Sequence, residues 1–233
     1  MTRRYFCNEL AAAGGLVSLS SEEAGHASRV MRANVGDSIT LFDGVGNEAE
    51  ATIESLGRSE CVCVSGATRG ITRMPSVDLH LGVALPKPDR AKELIERLTE
   101  LGVASVTPIT AERTQRAASP SLINKLRRVV VEACKQCERN VLMRIADPIT
   151  SKEFFQSPQQ GRCVIAHQGE DCVSGSDLKS ETRIVFAVGP EGGWTDGEVG
   201  LAGTNGFSRI NLGERIYRIE TAAVALASAL VTR

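Results

Sequence analysis

The chain has 233 residues, 24% of them charged and 42% hydrophobic, with a formal net charge of -1; that length suits two domains of unequal size and buries a core comfortably. The charge balance excludes a globally basic nucleic-acid binder, and no apolar run approaches the ~20 residues that span a bilayer. Seven cysteines are odd in number and form no disulfide framework, which points to reduced thiols and a cytoplasmic protein.

Arg3-Arg4 followed by Leu10 to Leu19 has the outline of a secretion signal, but Asn8 and Glu9 interrupt it and Gly14-Gly15 dilute it, so it is read as mature chain. Residues 1 to 70 form a β-rich module with one helix. Ser20-Ser-Glu-Glu23 is a capping box that starts a short helix carrying His26, Arg29, Val30 and Arg32. Strands are expected at Ser38–Asp43, Ala49–Ser55 and Glu60–Ser65, and a small barrel is the expected result. Asp43 to Ala49 contains G-x-G-x-x-A after a strand, yet another strand follows instead of a helix, so it reads as a hairpin turn.

Residues 70 to 76 are a polar linker, and the second domain is expected over 76–233. Val77–Leu85 reads as a strand. Ala91, Leu94, Ile95, Leu98 and Leu101 then fall on one helical face, with Pro88 in the first turn and Gly102 as the stop. Val103–Ile109 is the next strand. Ser119-Pro120 opens a second helix with Ile123, Leu126, Val130, Ala133 and Cys137 inward and Lys125, Arg128, Lys135 and Arg139 on a basic side. From Lys87 to Arg144 there are 12 Lys and Arg against 7 Asp and Glu, a local excess that suits phosphate contacts or solvated helix faces. Cys134 and Cys137 have redox spacing without the second pair that a zinc site needs, so no metal is expected.

Cys163–His167 is a strand with His167 at its carboxyl end. Ile184–Val188 is an apolar run that stops at Gly189-Pro190, followed by Glu191-Gly192-Gly193 and a capping box from Thr195 to Glu198. The plan repeats with a strand near Ser208–Leu212, a loop opened by Gly213 and an alanine-rich helix from Glu220 to Val231. The order is α/β, and loops at the carboxyl ends of neighbouring strands are the expected ligand site. No HExxH, Walker loop or G-x-S-x-G is present, so hydrolase and NTPase readings lack machinery.

Gly189-Pro190-Glu191-Gly192-Gly193, then Leu212-Gly213, Arg215-Ile216, Arg218 and Glu220-Thr221-Ala222, resemble the RsmE family of bacterial ribosomal RNA methyltransferases, of the SPOUT class. His26 to Arg32, Leu41 to Gly44, Glu100 to Val103, Glu112-Arg113 and Glu132 to Asn140 carry the likeness through most of the chain. The resemblance implies a PUA-like RNA-binding barrel over 1–70. It implies a SPOUT domain over 76–233, whose parallel sheet is threaded into a deep trefoil knot, and a homodimer. It implies S-adenosylmethionine as cofactor, bound in a bent form, and as target N3 of a uridine in 16S RNA of the small ribosomal subunit, conventionally numbered 1498.

Carried onto this sequence, the likeness places the cofactor against His167, Val188, Gly189, Pro190, Glu191, Gly192, Gly193, Leu212, Gly213, Arg215, Ile216, Ile219 and Thr221. Arg29, Arg32, Arg113 and Arg139 are the expected RNA contacts. Arg218 or Arg139, from either subunit, would stabilise charge growing on the uracil. Glu220 is either the proton acceptor or a helix cap paired with Arg215 or Arg218; a carboxylate beside arginine is a poor base. Glu214, Tyr217 and Ile219 stand where the family usually has proline, leucine and threonine, Leu126 where it often has tryptophan, and Glu138 where it has a small residue. Two alternatives stay open: a relative that methylates another RNA position, and a non-catalytic RNA-binding assembly factor.

Overall fold

The computed structural model describes residues 3–169 and 171–232, and the chain divides into two compact units. The first takes residues up to Met74 together with Val131–Leu142, and the second takes Pro75–Val130 and everything from Met143. The division expected at residues 70–76 left out that return of Val131–Leu142 to the first unit.

The first unit is a six-stranded sheet ordered β1-β3-β4-β5-β2, with β6 beside β4. Its strands are β1 (Arg3–Phe6), β2 (Gly15–Ser18), β3 (Ser38–Phe42), β4 (Asn47–Leu56), β5 (Cys61–Ser65) and β6 (Arg69–Gly70). Only the β1–β3 pair is parallel among the pairings of this sheet. Asp43 makes the β3–β4 turn, its Oδ1 accepting from the amides of Val45 and Asn47 at 2.9 Å each. Helix α1 (Ser21–Gly25) starts where the capping box placed it, with the Ser20 hydroxyl accepting from the Glu23 amide. Glu23 does not reach back to close the box; its carboxylate is buried and bonded to Lys135 at 2.6 Å and to the Phe6 amide. Cys61 and Cys63 share the buried face of β5, and burial pushes the Cys63 thiol up to about 12, so both act as packing groups.

The second unit is built on a parallel sheet ordered β10-β8-β7-β12-β11-β13, with β9 beside β8. These strands are β7 (Asp78–Val83), β8 (Ser105–Thr110), β9 (Arg144–Ile145), β10 (Ile149–Thr150), β11 (Arg162–Ala166), β12 (Arg183–Val188) and β13 (Phe207–Ile210). Chain order runs outward from β7 through β8 to β10, then crosses to β11 on the other side of β12. That reversal is the kind of switch point where open α/β sheets bind ligands. β12 is buried from Ile184 to Val188, as expected of a strand covered on both faces, and each such large apolar side chain contributes roughly 1.5–3 kcal/mol.

Helix α2 (Pro88–Glu100) begins with Pro88 in its first turn and buries Ala91, Leu94, Ile95 and Leu98, the face read from the sequence. It packs on α6 (Ile219–Val231), which packs on β7 and β12. On the other face, α4 (Ser151–Gln156) and α5 (Asp196–Thr204) enclose a cluster of Phe154, Phe155, Trp194 and Phe207. Helix α3 (Pro120–Cys137) buries Ile123, Leu126, Val130 and Ala133. At the amino ends of β7 and β8, His80 bridges Asp78 (2.8 Å) and Ser105 (2.7 Å), and Arg183 holds Asp78 at 3.0 Å. This chain of bonds lies at the strand ends opposite the cavities described below and knits three strands together.

Candidate active site

A cleft of about 400 Å³ opens at the carboxyl ends of β11, β12 and β13, within the usual range of ~300–1,000 Å³ for a small-molecule site. Three loops wall it: Ala166 to Gln168, Val188 to Trp194, and Ile210 to Tyr217, with Ile219 and Ala222 of α6 and the side of Arg113 closing the remainder.

The loop after β12 owes its shape to named contacts. Gly189 passes so close to Trp194 that a Cβ there would lie 2.9 Å from the indole, so only glycine lets the loop fold over that ring. Trp194 is 4% exposed and stacked edge-on against Phe155. Beyond it, Thr195 and Glu198 form the reciprocal capping box that starts α5. Glu198 also accepts from the Glu112 amide at 3.0 Å, and Arg113 donates to the carbonyls of Gly192 (2.9 Å) and Trp194 (3.4 Å). Residues 112 and 113 therefore grip the carboxyl half of the loop and the helix that follows it. Burial works to raise the Glu198 pKa, and the hydrogen bonds from the Thr195 and Glu112 amides and the Ser151 hydroxyl outweigh it and hold it low. Glu198 is thus an ionised anchor.

In the loop after β13, Gly213 has φ +92° and Gly193 opposite has φ +69°, and a Cβ on either would meet nothing within 4 Å. Both backbones stand clear of any packing, open to close approach by a ligand. Tyr217 braces this loop, its hydroxyl donating to the Leu212 carbonyl and accepting from Arg215 Nε, each at 3.4 Å. His167 lines the floor; burial first, then the charge of Arg209, hold its imidazole below the usual range against the pull of Asp196. It is therefore neutral at pH 7.

The structure brings His167, Val188 to Gly193, Leu212, Gly213, Arg215, Ile216 and Ile219 to one cleft. Thr221 does not line it and is exposed; Ala222, one position on, lines it instead. Gln168, Trp194, Asn211 and Tyr217 also line it and were missed, although Trp194 directly follows the glycine loop and Gln168 directly follows His167. Arg218 is exposed at the N-cap of α6, beside the cleft rather than in its wall.

Three expectations are corrected. Glu220 pairs with Arg90 of α2 at 3.7 Å, not with Arg215 or Arg218. Arg139 is not on an open helix face: α3 ends at Cys137, Glu138 takes φ 60°, and Arg139 is 3% exposed, with burial lowering its pKa. Lys135 likewise turns inward, to Glu23 and Glu132. Of the expected RNA contacts, Arg29 and Arg32 are exposed in the first unit, and Arg113 spends its guanidinium on the loop. No helix among the described residues is long and apolar enough to cross a membrane, and no group of three or more potential metal ligands occurs among them.

A family described as an RNA methyltransferase domain matches residues 73–231, and one described as an RNA methyltransferase PUA domain matches 19–64. The Ribosomal RNA small subunit methyltransferase E of Synechocystis is 33% identical over 218 residues, 91% of this chain and 71% of that one. The chain belongs to the RsmE family of RNA methyltransferases. The Neisseria gonorrhoeae RsmE protein bound to S-adenosyl methionine superposes with a TM-score of 0.91 at 28% identity, covering 99% of this chain and 97% of that one. A Legionella pneumophila protein in complex with the bound cofactor SAM gives a TM-score of 0.94 at 28% identity over the same shares. The chain thus has an N-terminal PUA-like domain, matched within the first unit, and an α/β fold with a parallel sheet.

Proposed function

We propose that this chain methylates 16S ribosomal RNA of the small subunit with S-adenosylmethionine as donor, at N3 of the uridine conventionally numbered 1498. The observation that carries the reading is the cleft at the carboxyl ends of β11, β12 and β13, framed by two glycine-opened loops in a chain of the RsmE family. Its residues fit that donor. Val188, Ile210, Leu212 and Ile219 are apolar walls for adenine, the main chain at Gly193 and Gly213 is open for close approach, and Glu191 and Arg215 supply charge for the amino-acid end.

When bound, the sulfonium supplies an already activated methyl group. The chain's part is then to orient donor and acceptor in line and to stabilise the charge that spreads onto O2 and O4 as the imide loses its proton. Arg218 of this or the opposite subunit suits that second task. It is exposed, it has no ion-pair partner among the described residues, and it sits at a helix N-cap, where the dipole disfavours a cation. A charge kept at a local electrostatic cost is explained by a substrate that uses it. Glu220 has the structural role: its pairing with Arg90 ties α6 to α2.

The finer architecture in this reading is a SPOUT domain whose sheet is knotted, a PUA-like module closed as a barrel, and a cytoplasmic homodimer. Support for the homodimer comes from Ile216, 91% exposed on the loop that borders the cleft, where a second subunit would cover it. Support for the cytoplasm comes from the free state of all seven cysteines.

The direct test is to map N3-methyluridine in 16S RNA from cells lacking the protein and to restore the mark with purified protein and S-adenosylmethionine. Presence of the mark in the deletion strain overturns the reading, and absence of calorimetric binding of S-adenosylmethionine would favour the non-catalytic assembly factor. Arg113→Ala should weaken S-adenosylmethionine binding about tenfold, since losing a charged hydrogen bond costs roughly 1.5–3 kcal/mol less the screening of an exposed group. Arg113→Lys should recover part of it, because both carbonyls accept from one terminal nitrogen, Nη1, and an ammonium carries donors enough for two. Unchanged affinity in both variants would remove Arg113 from the loop's support.

A further inference from the structure

A second cavity in the same unit, about 450 Å³, lies at the carboxyl ends of β7 and β8. Ala84 to Pro86 form one side, the loop from Thr114 to Ala118 another, and Leu122 in the first turn of α3 a third. It shares Pro190 and Glu191 with the cleft described above. We propose that this cavity receives the target uridine, extruded from the RNA, with its base directed to the shared wall; the inference rests on the reading that the first cleft holds the methyl donor.

Methyl transfer needs the attacking nitrogen within roughly 3–3.5 Å of the methyl carbon, so the acceptor's pocket must abut the donor's, and Pro190 and Glu191, which line both cavities, put the two side by side. A base stacked in an RNA helix offers no in-line approach to N3, so it must leave the stack.

Leu85, Pro86, Ala118 and Leu122 give apolar surface for the ring. The reacting edge of uracil presents an N–H between two carbonyl oxygens, and the lining offers donors in Thr114 and Gln115 and an acceptor in Glu191. The Thr114 hydroxyl oxygen already accepts from the Ala111 amide at 2.9 Å, which leaves its proton to donate. Cytosine, with an acceptor at N3 and an amino group at C4, mismatches both kinds of group. Lys87 and Arg116 at the lining have no ion pair among the described residues and suit the phosphates on either side of the nucleotide. Asp89 and Glu191 also line the cavity, so its charge is balanced, which fits one nucleotide rather than a length of backbone.

Ala118→Trp fills the cavity from the loop. It should leave calorimetric affinity for S-adenosylmethionine within about twofold while slowing single-turnover methylation of 16S RNA about 100-fold or more. Lys87→Ala and Arg116→Ala should each lessen the salt dependence of RNA binding by about one unit of slope. Independently, 16S RNA carrying 4-thiouridine at the target position, irradiated with the unaltered protein, should cross-link to peptides spanning 84–87 or 114–122. A cross-link confined to other segments, or an Ala118→Trp protein that methylates at the original rate, overturns the assignment. If the unaltered protein fails to bind S-adenosylmethionine, it is the underlying reading that falls; the cross-link still decides where the uridine sits.

Discussion

Arg218→Ala is expected to lower the single-turnover rate of methyl transfer about 10²–10³-fold, the usual cost of removing one preorganised donor aimed at developing charge, with affinity for S-adenosylmethionine unchanged. The second half of the expectation follows from position. Arg218 stands beside the cleft and contributes no surface to it, and its side chain makes no capping bond to α6, so truncation removes neither a cofactor contact nor a helix cap. If anything, α6 gains slightly from losing a cation at its positive end. Arg218→Lys keeps the charge and loses the planar fork, and an intermediate rate is expected. Arg139→Ala serves as the contrast: a guanidinium 3% exposed affects folding of the first unit before it affects chemistry. An Arg218→Ala protein that transfers methyl groups at the original rate, or one that loses the cofactor and the catalytic rate together, excludes the assigned role.

Local signals in the sequence carried most of the fold. The capping box at Thr195 and Glu198, Pro88 at the head of α2 and the apolar face from Ala91 to Leu98 each depend on residues within a turn or two of one another. The two glycine loops were legible for the same reason, since a strand that ends at glycine and a helix that starts at a cap leave little else for the residues between. What the sequence hid were pairings across long separations. Glu198 reaches the Glu112 amide, 86 residues away, and Glu220 reaches Arg90; nothing within either helix signals those partners. Helical periodicity puts Arg139 on the solvent side only if the helix runs two residues beyond Cys137, past the point where Glu138 turns to positive φ. Val131–Leu142 joins the first unit through Asn140, whose side chain bonds Glu48 and the Ile71 carbonyl, a tertiary fact without a local trace.

Glu48 gives that tertiary fact a measurable weight. Its carboxylate is 2% exposed and bonded to Arg4 at 3.2 Å, Arg69 at 3.1 Å, Arg73 at 3.0 Å and Asn140 at 2.8 Å. Burial alone would raise its pKa, but the bonds from Arg73, Asn140 and Arg4 override that effect and hold it at about 2, against 4.5 for an ordinary glutamate. Because the folded value is the lower one, the stabilisation is complete above pH 4.5 and is lost as pH falls from there toward 2. Glu48→Ala leaves the Arg4 guanidinium, 6% exposed, without its carboxylate, and removing one member of a buried pair costs about 3–5 kcal/mol. Loss of that size should appear as faster hydrogen exchange across β3 and β4 at pH 7, and the acid sensitivity of those amides between pH 4.5 and 2 should flatten. Arg69→Ala is the milder companion: its side chain is 58% exposed, and about 1 kcal/mol or less is expected. Equal, small effects from both substitutions would mean that Glu48 is solvated in solution and that the segment from Val131 to Leu142 is held to the first unit by its other contacts, the Lys135–Glu23 pair among them.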